Sequence, residues 1–392
     1  MCPKNNSIEH SGFQTTEAVK LEVSTFKTGA GVEEYQLMFH PTATEELFEV
    51  QLSALLRAYK EVRDTELPSA VPVFMRFFVS DAANQSALLR RSLSDMVGFC
   101  ECAISVVEQA PLDGAKVTLW VYLQTEVSVE PLRNGLFAVA HGDYLHYWSG
   151  TACLPTGDSA SQTRCLLENY VDQLENVGCT LTDDCIRTWF FVQNVDVNYA
   201  GVVKARNEVF DTHHLTVQTH FISSTGINGR HADHHVLVQL DTYAVKGLHP
   251  EQIQFLYAPT HLNPTYEYGV SFERGTAVHY GDRSQVFISG TASIDNKGNV
   301  LHLGDIRQQT MRMWENVEAL LCEAHCHFSD VQQMIVYLRD VTDYAVVNRL
   351  FNERFPHTPK VIVYAPVCRP GWLIEMECIA VRVNHDARLK SF

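Results

Sequence analysis

The sequence contains no uninterrupted apolar run of membrane-spanning length, and residues 1–12 lack the apolar stretch of a signal peptide. Basic residues are scarce: 30 lysines and arginines stand against 46 acidic residues, giving a net charge of -16. This charge repels phosphate backbones and argues against nucleic-acid binding. No Walker loop, dinucleotide fingerprint or Ser-His-Asp signature is present. We therefore expect a cytoplasmic protein with neither membrane nor nucleic-acid partners.

Metal-binding and disulfide patterns are also missing. The 11 cysteines are odd in number and include no CxxC pair. Cys100 and Cys102 are too close for ordinary bridging, so reduced thiols are expected. Residues 231–235 hold three histidines and an aspartate, but their spacing fits no standard zinc set. We interpret them as a surface hairpin and expect neither a metal nor an organic cofactor.

One pattern, by contrast, is present three times. The third copy has a strand at 285–292, a helix from Asp305, a strand ending at 336–338, a helix to Phe355, and a closing strand pair at 361–364 and 373–381. The second copy has strands at 145–152 and 188–192, helices from Asp158 and through 199–210, and closing strands at 220–223 and 236–243. The first copy is fainter, with a helix from Thr44 between strands at 35–39 and 73–79, then strands at 104–107 and 116–123.

The repeat is too long for a solenoid, so each copy is predicted to be a domain. The domains are placed at residues 17–130, 131–248 and 266–384, with breaks near 125–134 and 246–266. Each helix has a single apolar stripe, which predicts an α+β fold with helices on one face of each mixed sheet. Because Trp120, Trp189 and Phe287 leave the opposite faces apolar, we expect the three sheets to pack around an axis as a pseudo-trimer. The residues from Asn384 onward are predicted to form a frayed tail.

The third copy resembles the RidA/YjgF (endoribonuclease L-PSP-like) family along its whole length, through its FISGTASID, VYLRD and IEMECIAV stretches. That family forms homotrimers with active sites between subunits, which three fused copies would imitate. Its usual members are enamine/imine deaminases with an arginine opening the strand after the second helix. Residues 357–361 contain no arginine, which weakens the deaminase interpretation.

Residues 135–383 resemble the chorismatase family more closely. The likeness rests on Arg187-Thr188-Trp189, on Tyr199 and Arg206, on Ser224-Thr225-Gly226-Ile227, and on Cys368-Arg369 followed by Leu373-Ile374-Glu375. It implies that Tyr199, Arg187, Arg369 and Trp372 contact a small-molecule carboxylate substrate. It also implies that cysteine at 368 marks the branch releasing a hydroxybenzoate.

Arg206 is informative on physical grounds as well, since it shares one helical face with Tyr199, Val203 and Phe210. A guanidinium on such a core-facing stripe needs an anion. That anion is either an internal Asp or Glu or a substrate carboxylate gripped bidentately. By resemblance, Arg206 binds the substrate carboxylate.

Residues 223–229 are predicted to lie between two strands. Asn228-Gly229 is a standard hairpin turn, whereas the small residues Ser224, Thr225 and Gly226 would let backbone amides approach a carboxylate.

Glu375 lies in an otherwise apolar strand. It is either on a solvated face or, as the resemblance implies, a buried acid of raised pKa that donates a proton. Cys368 is either a small buried apolar residue or part of the site.

Together these residues predict a chorismatase-type enzyme that releases pyruvate from the enolpyruvyl ether of chorismate or a related dicarboxylate. The alternatives are a RidA-type enamine/imine deaminase and a non-catalytic metabolite-binding protein. The chain would act as a monomer that forms one pseudo-trimer, or in a higher assembly of pseudo-trimers.

Overall fold

The computed structural model describes residues 8–11, 18–29, 31–96 and 102–392. Residue 17, the predicted start of the first domain, and Cys100 lie outside these ranges. The first unit consists of β1 (Ile8–Ser11), β2 (Val19–Phe26), β3 (Glu34–Pro41), α1 (Phe48–Thr65), β4 (Ala70–Val79), α2 (Ala82–Asp95), β5 (Ala103–Glu108) and β6 (Val117–Thr125). None of the helices in the described ranges is long and apolar enough to cross a membrane.

The other two units repeat this order. The second comprises β7 (Ser128–Pro131), β8 (Leu136–His141), β9 (Tyr144–Cys153), α3 (Ser159–Asn176), β10 (Cys185–Val192), α4 (Val195–Thr212), β11 (Ser223–Asn228) and β12 (Val238–Lys246). The third comprises β13 (Ile253–Leu256), β14 (Gly275–His279), β15 (Arg283–Ala292), α5 (Ile306–Glu323), β16 (Val331–Leu338), α6 (Tyr344–Arg354), β17 (Lys360–Tyr364) and β18 (Ile374–Val383). Strands β7 and β13 extend the second and third sheets beyond the predicted starts at residues 131 and 266.

All three sheets have the same six-stranded topology. Their orders are β1-β2-β3-β6-β4-β5, β7-β8-β9-β12-β10-β11 and β13-β14-β15-β18-β16-β17. The last strand of each unit inserts between the third and fourth, and the fifth pairs parallel to the fourth. The two closing strands predicted in the third copy are therefore not paired with each other, because β17 and β18 lie on opposite sides of β16. The mixed-sheet α+β fold is confirmed.

In two units a helix starts directly after the aspartate from which it was predicted to run. The Asp158 carboxylate accepts a hydrogen bond from the Ser161 amide, and the Asp305 carboxylate accepts one from the Arg307 amide. In the first unit α1 begins at Phe48, not at Thr44. The Gln51 side chain donates to the carbonyls of Thr44 and Glu46 and holds that segment as a turn.

The faces of the three sheets that lack helices pack against one another, as predicted. Phe74 of the first sheet contacts Trp148 of the second, with ring centroids 5.0 Å apart. Tyr243 of the second contacts Phe287 of the third, at 5.3 Å. These rings belong to one continuous apolar core that also holds Trp120. The pseudo-trimer is thus closed by aromatic packing at its centre.

The segment after Asn384 is packed rather than frayed. The Asn384 side chain donates to the Tyr280 carbonyl, and the Asp282 carboxylate accepts from the Phe392 amide. The Phe392 ring is only 4% exposed and lies 4.5 Å from the Arg283 guanidinium. The prediction of a frayed tail is wrong, because these hydrogen bonds and the contact between Phe392 and Arg283 hold the segment in place.

Candidate active site

The three clefts between units differ, although the topology of the units is the same. The cleft between the first and second units is filled by backbone. Gly150 approaches Ile104 so closely that a Cβ atom there would lie 2.5 Å from the Ile104 carbonyl oxygen. The Thr151 hydroxyl accepts a hydrogen bond from the Val106 amide at 2.8 Å. No room for a ligand remains beside Gly150.

The cleft between the third and first units is open, but its charged groups bind one another. His40 contacts the Asp113 carboxylate through Nδ1 at 2.9 Å and the Lys360 carbonyl through Nε2 at 3.1 Å. Glu22 accepts from the Lys360 backbone amide at 3.0 Å and from Lys20 Nζ at 2.7 Å. These contacts hold the two units together, and they pair the charged groups of the cleft with one another.

The cleft between the second and third units holds a cavity. Its walls combine α4 and β11 of the second unit with β15, β18 and the segment before β14 of the third. It contains all the predicted site residues except Arg187: Tyr199, Arg206, Thr225, Gly226, Cys368, Arg369, Trp372 and Glu375. The remaining lining residues are Ser224, Tyr268, Val270, Phe272, Arg274, Gly290, Ala292 and Ile294.

Arg206 projects from α4 and is only 1% exposed. No carboxylate of the described residues lies within ion-pairing distance of it, and its Nε and Nη2 atoms have no hydrogen-bond partner. Its guanidinium carbon lies 5.9 Å from the ring centroids of Phe190 and Phe272. The internal ion pair considered from the sequence is therefore not formed. A buried guanidinium without an anion is costly, so the cavity is prepared to bind one.

Glu375 lies on β18 and is 5% exposed, which rules out a solvated face. Its carboxyl packs against the Cα of Gly290, where a Cβ would overlap Oε1. Burial, reinforced by the negative charge of Glu377, raises the pKa of Glu375 to about 8. At neutral pH this carboxyl is predominantly protonated and can donate a proton into the cavity.

Thr225 and Gly226 lie inside β11, not in a hairpin, because β11 pairs along its length with β10 in parallel. The Thr225 hydroxyl donates to Glu377 and accepts from the Gly290 amide at 2.9 Å. Gly226 leaves room for the Tyr199 ring, whose Cε2 atom would lie 2.7 Å from an added Cβ. Their contribution is thus to shape the cavity wall, and the expected hairpin turn at residues 228–229 is absent.

Arg187 is the one predicted ligand that lies outside the cavity lining. Its guanidinium donates to Glu377 at 2.8 Å and to the Thr225 hydroxyl at 2.6 Å. It also lies 4.8 Å from the Trp189 ring. The inner face of β10 meets the other sheets, so Arg187 forms an internal ion pair behind the cavity wall, and its contact with a substrate stays a prediction.

Cys368 and Tyr199 present neutral polar groups to the cavity. Burial, with the nearby charge of Glu375, raises the pKa of the Cys368 thiol to about 12. Burial also raises the pKa of the Tyr199 phenol. Neither group is ionised near neutral pH, so both can act as uncharged hydrogen-bonding groups and neither is a ready nucleophile.

An aromatic–cationic wall closes the cavity on the side of the third unit. The Arg369 guanidinium lies 4.5 Å from the Tyr268 ring and 5.0 Å from the Trp372 ring. Arg274, which the sequence reasoning missed, donates to the Asn263 carbonyl at 2.9 Å. The missed signal was the aromatic content of residues 266–272, which is unusual in a surface crossing between domains.

The charge balance of the lining is strongly positive. Arg206, Arg274 and Arg369 are cationic, whereas Glu375 is the sole acidic residue in the lining and is protonated below about pH 8. Such a cavity attracts small anions despite the net charge of the whole chain.

The histidine-rich loop contributes nothing to this cavity. Asp233, His234 and His235 bring potential ligand atoms within 4.8 Å of one another on a largely exposed loop. The Asp233 carboxylate contacts His235 Nδ1 at 3.0 Å. This arrangement stabilises the loop itself.

Known proteins are similar to one unit of the chain, to judge from the length of the match. Residues 275–382 match the family model described as endoribonuclease L-PSP. A RutC family protein of Pyrococcus abyssi is 37% identical over 99 residues, covering 25% of this chain and 78% of the relative. The 3-aminoacrylate deaminase RutC of Acinetobacter baylyi is 31% identical over 97 residues, covering 24% of this chain and 77% of the relative.

A solved chorismatase structure matches with a TM-score of 0.63 and 18% identity, covering 79% of this chain and 93% of that one. At 18% identity this match shows a shared fold and not a shared function. The chain belongs to the RidA/YjgF superfamily, to which RutC proteins and the endoribonuclease L-PSP model also belong. Within that superfamily it is a tandem-repeat protein of three units, with the overall fold of chorismatase.

Proposed function

We propose that the protein cleaves the enolpyruvyl ether of chorismate, or of a related dicarboxylate, releasing pyruvate and a hydroxybenzoate-type product. The observation that carries this proposal is the pairing of an unneutralised, buried Arg206 with a buried, protonated Glu375 in one cavity. The first group binds a carboxylate. The second is a general acid whose pKa lies near neutral pH.

Each step then has a group to perform it. Arg206 binds one carboxylate, and Arg369 or Arg274 binds the other. Glu375 protonates the methylene carbon of the enol ether and creates an oxocarbenium ion. As pyruvate leaves and the ring becomes aromatic, a ring proton is released that the Glu375 carboxylate can accept. Conversion of chorismate to a hydroxybenzoate and pyruvate consumes no net water, so the acid is regenerated in each turnover.

Cys368 is assigned to the wall against the substrate ring, where its neutral thiol would bias the product toward the hydroxybenzoate. A catalytic thiolate is unnecessary for this role, in agreement with the raised pKa of Cys368. Tyr199, held against Gly226, supplies a phenolic hydrogen bond at the same side.

The test is incubation of purified protein with chorismate, with pyruvate measured through lactate dehydrogenase and aromatic products separated by chromatography. Glu375→Gln is the matched control. Pyruvate from the wild type and none from Glu375→Gln supports the proposal. No pyruvate from the wild-type protein refutes it.

The second candidate is hydrolysis of an enamine or imine, favoured by the likeness to a 3-aminoacrylate deaminase over 97 residues. In that reaction the Glu375 side chain would hold the attacking water. Semicarbazone trapping in the presence of an amino-acid oxidase discriminates the two reactions. A protein that binds dicarboxylates without converting either substrate would instead be a metabolite-binding protein.

A further inference from the structure

Four charged residues form a buried cluster where the three sheets meet. Arg76 comes from the first unit, Arg187 and Asp241 from the second, and Glu377 from the third. Arg76 binds Asp241 at 2.9 Å and lies 3.8 Å from Glu377, and Arg187 binds Glu377 at 2.8 Å. We call these residues the axial cluster. Its two cations balance its two anions.

The cluster is shielded from water. The Arg76 and Asp241 side chains are 0% exposed. Four aromatic rings surround the Arg76 guanidinium, with centroids 5.0 to 5.4 Å away: Phe74, Trp120, Trp189 and Phe191. In such surroundings the effect of a charge extends farther than it does near solvent.

Glu377 connects this cluster to the cavity. It shares a face of β18 with Glu375, since the two residues are separated by one position on an extended strand. The Thr225 hydroxyl donates to Glu377, while Thr225 itself lines the cavity and its methyl group packs beside Gly290. The charge on Glu377 therefore lies directly behind the acid.

We propose that Arg76, although it belongs to the unit that contributes nothing to the cavity lining, is a positioning residue that, beside the Arg187–Glu377 ion pair, keeps the axial cluster electrically neutral and thereby sets the acid strength of Glu375. This inference rests on the proposed role of Glu375 as a proton donor. It also gives the first unit a part in the chemistry of a site formed by the other two.

Other groups also act on Glu375 and must stay unchanged in the test. From the sheets, Glu377, Arg187 and Tyr337 interact with it electrostatically. From α4 and the loops, Tyr199, Arg206, Cys368, Arg369 and Arg274 share its cavity. Of the axial residues, Arg76 is the cation that can be altered without removing one of these groups.

The experiment compares Arg76→Met, Arg76→Lys and the double variant Arg76→Met/Asp241→Asn. Removing the Arg76 charge leaves the cluster with a net negative charge, which disfavours the Glu375 carboxylate. The pH at which pyruvate release declines should rise by about one unit in Arg76→Met. It should stay near wild type in Arg76→Lys. In the double variant this pH should return to the wild-type value. The side-chain amide oxygen at position 241 can still accept the hydrogen bond from the Thr151 amide, which Asp241 accepts at 2.7 Å.

A second readout does not depend on turnover. The carboxylic-acid band of Glu375, assigned by its loss in Glu375→Gln, is titrated by infrared difference spectroscopy in each variant. If chorismate is not a substrate, the band still reports the shift, so the two proposals fail separately. An unmoved titration in folded Arg76→Met, or a shift that Asp241→Asn does not reverse, overturns the inference. Should Arg76→Met fail to fold, the opposite shift expected in Asp241→Asn alone decides the matter.

Discussion

The Glu375 carboxyl and the Arg206 guanidinium line one cavity although they belong to different units of the chain. One is a buried acid held protonated and the other is a buried cation without an anion. In isolation each would be a destabilising defect of a folded core. Together they fit the function proposed above, in which an anionic substrate accepts a proton.

Replacing Glu375 with glutamine should abolish turnover and leave dicarboxylate binding nearly unchanged, because the amide keeps the shape but cannot supply the proton. In the wild type, kcat/KM should fall as the pH rises through about 8, where Glu375 loses its proton. Steady-state rates across pH, with calorimetric titration of a dicarboxylate analogue, check both. Retained turnover in Glu375→Gln would remove it from the proton-donor role.

Glu375 should also make the protein less stable at alkaline pH. Its pKa is raised on folding, so between 4.5 and about 8 the folded state binds more protons than the unfolded state. The free energy of unfolding therefore falls across this window, by up to roughly 1.4 kcal/mol per pH unit. Glu375→Gln should lose this component. Thermal melts of both proteins at several pH values measure it, and parallel curves would contradict the assignment.

Replacing Arg206 with methionine should raise the apparent KM about 100-fold or more, because a buried carboxylate contact is lost. The melting temperature should not fall, because the substitution breaks no ion pair of Arg206. Lys204→Met on the exposed side of the same helix is the control and should change neither quantity. A marked drop in melting temperature with an unchanged KM would make Arg206 a structural residue.

Gly290→Ala should abolish the proposed turnover without unfolding the protein. The added methyl group would overlap the Glu375 carboxyl and displace it from the cavity. Gly371→Ala is the matched control, since its added methyl would meet the flexible end of the Leu303 side chain at 3.1 Å. Rates and circular dichroism of both variants check the prediction. Equal activity in the two would show that the Glu375 position tolerates movement.

Cys368 should resist alkylation at neutral pH, because burial keeps its thiol protonated. The exposed Cys165 is the internal reference and should react first with iodoacetamide. Peptide mass spectrometry over a time course gives both rates. Rapid labelling of Cys368 would instead indicate a reactive thiolate and require a different role for it.

Much of this arrangement could be predicted from the sequence because its signals are local. The apolar stripes of the helices, with Asp158 and Asp305 at two helix starts, gave the positions of most elements. The stripe that contains Arg206 indicated that this side chain points inward. The insertion of β18 beside β16 could not be predicted, since strand order in a sheet is not a local property. The ion pair of Arg187 could not be predicted for a related reason: alternation along β10 does not distinguish a face in solvent from a face against the neighbouring sheets. Arg274 was missed because the aromatic content of residues 266–272, just before it, was interpreted as part of a surface crossing between domains.

The backbone contact between Gly150 and Ile104 has a consequence for stoichiometry. Identical subunits around a threefold axis must repeat every interface, whereas a single polypeptide can let each one diverge. In this chain, backbone fills the interface between the first and second units. The charged groups between the third and first units bind one another, and the interface between the second and third units keeps an open cavity. Saturation with a dicarboxylate should accordingly occur at a single equivalent per polypeptide, where a symmetric trimer would require three.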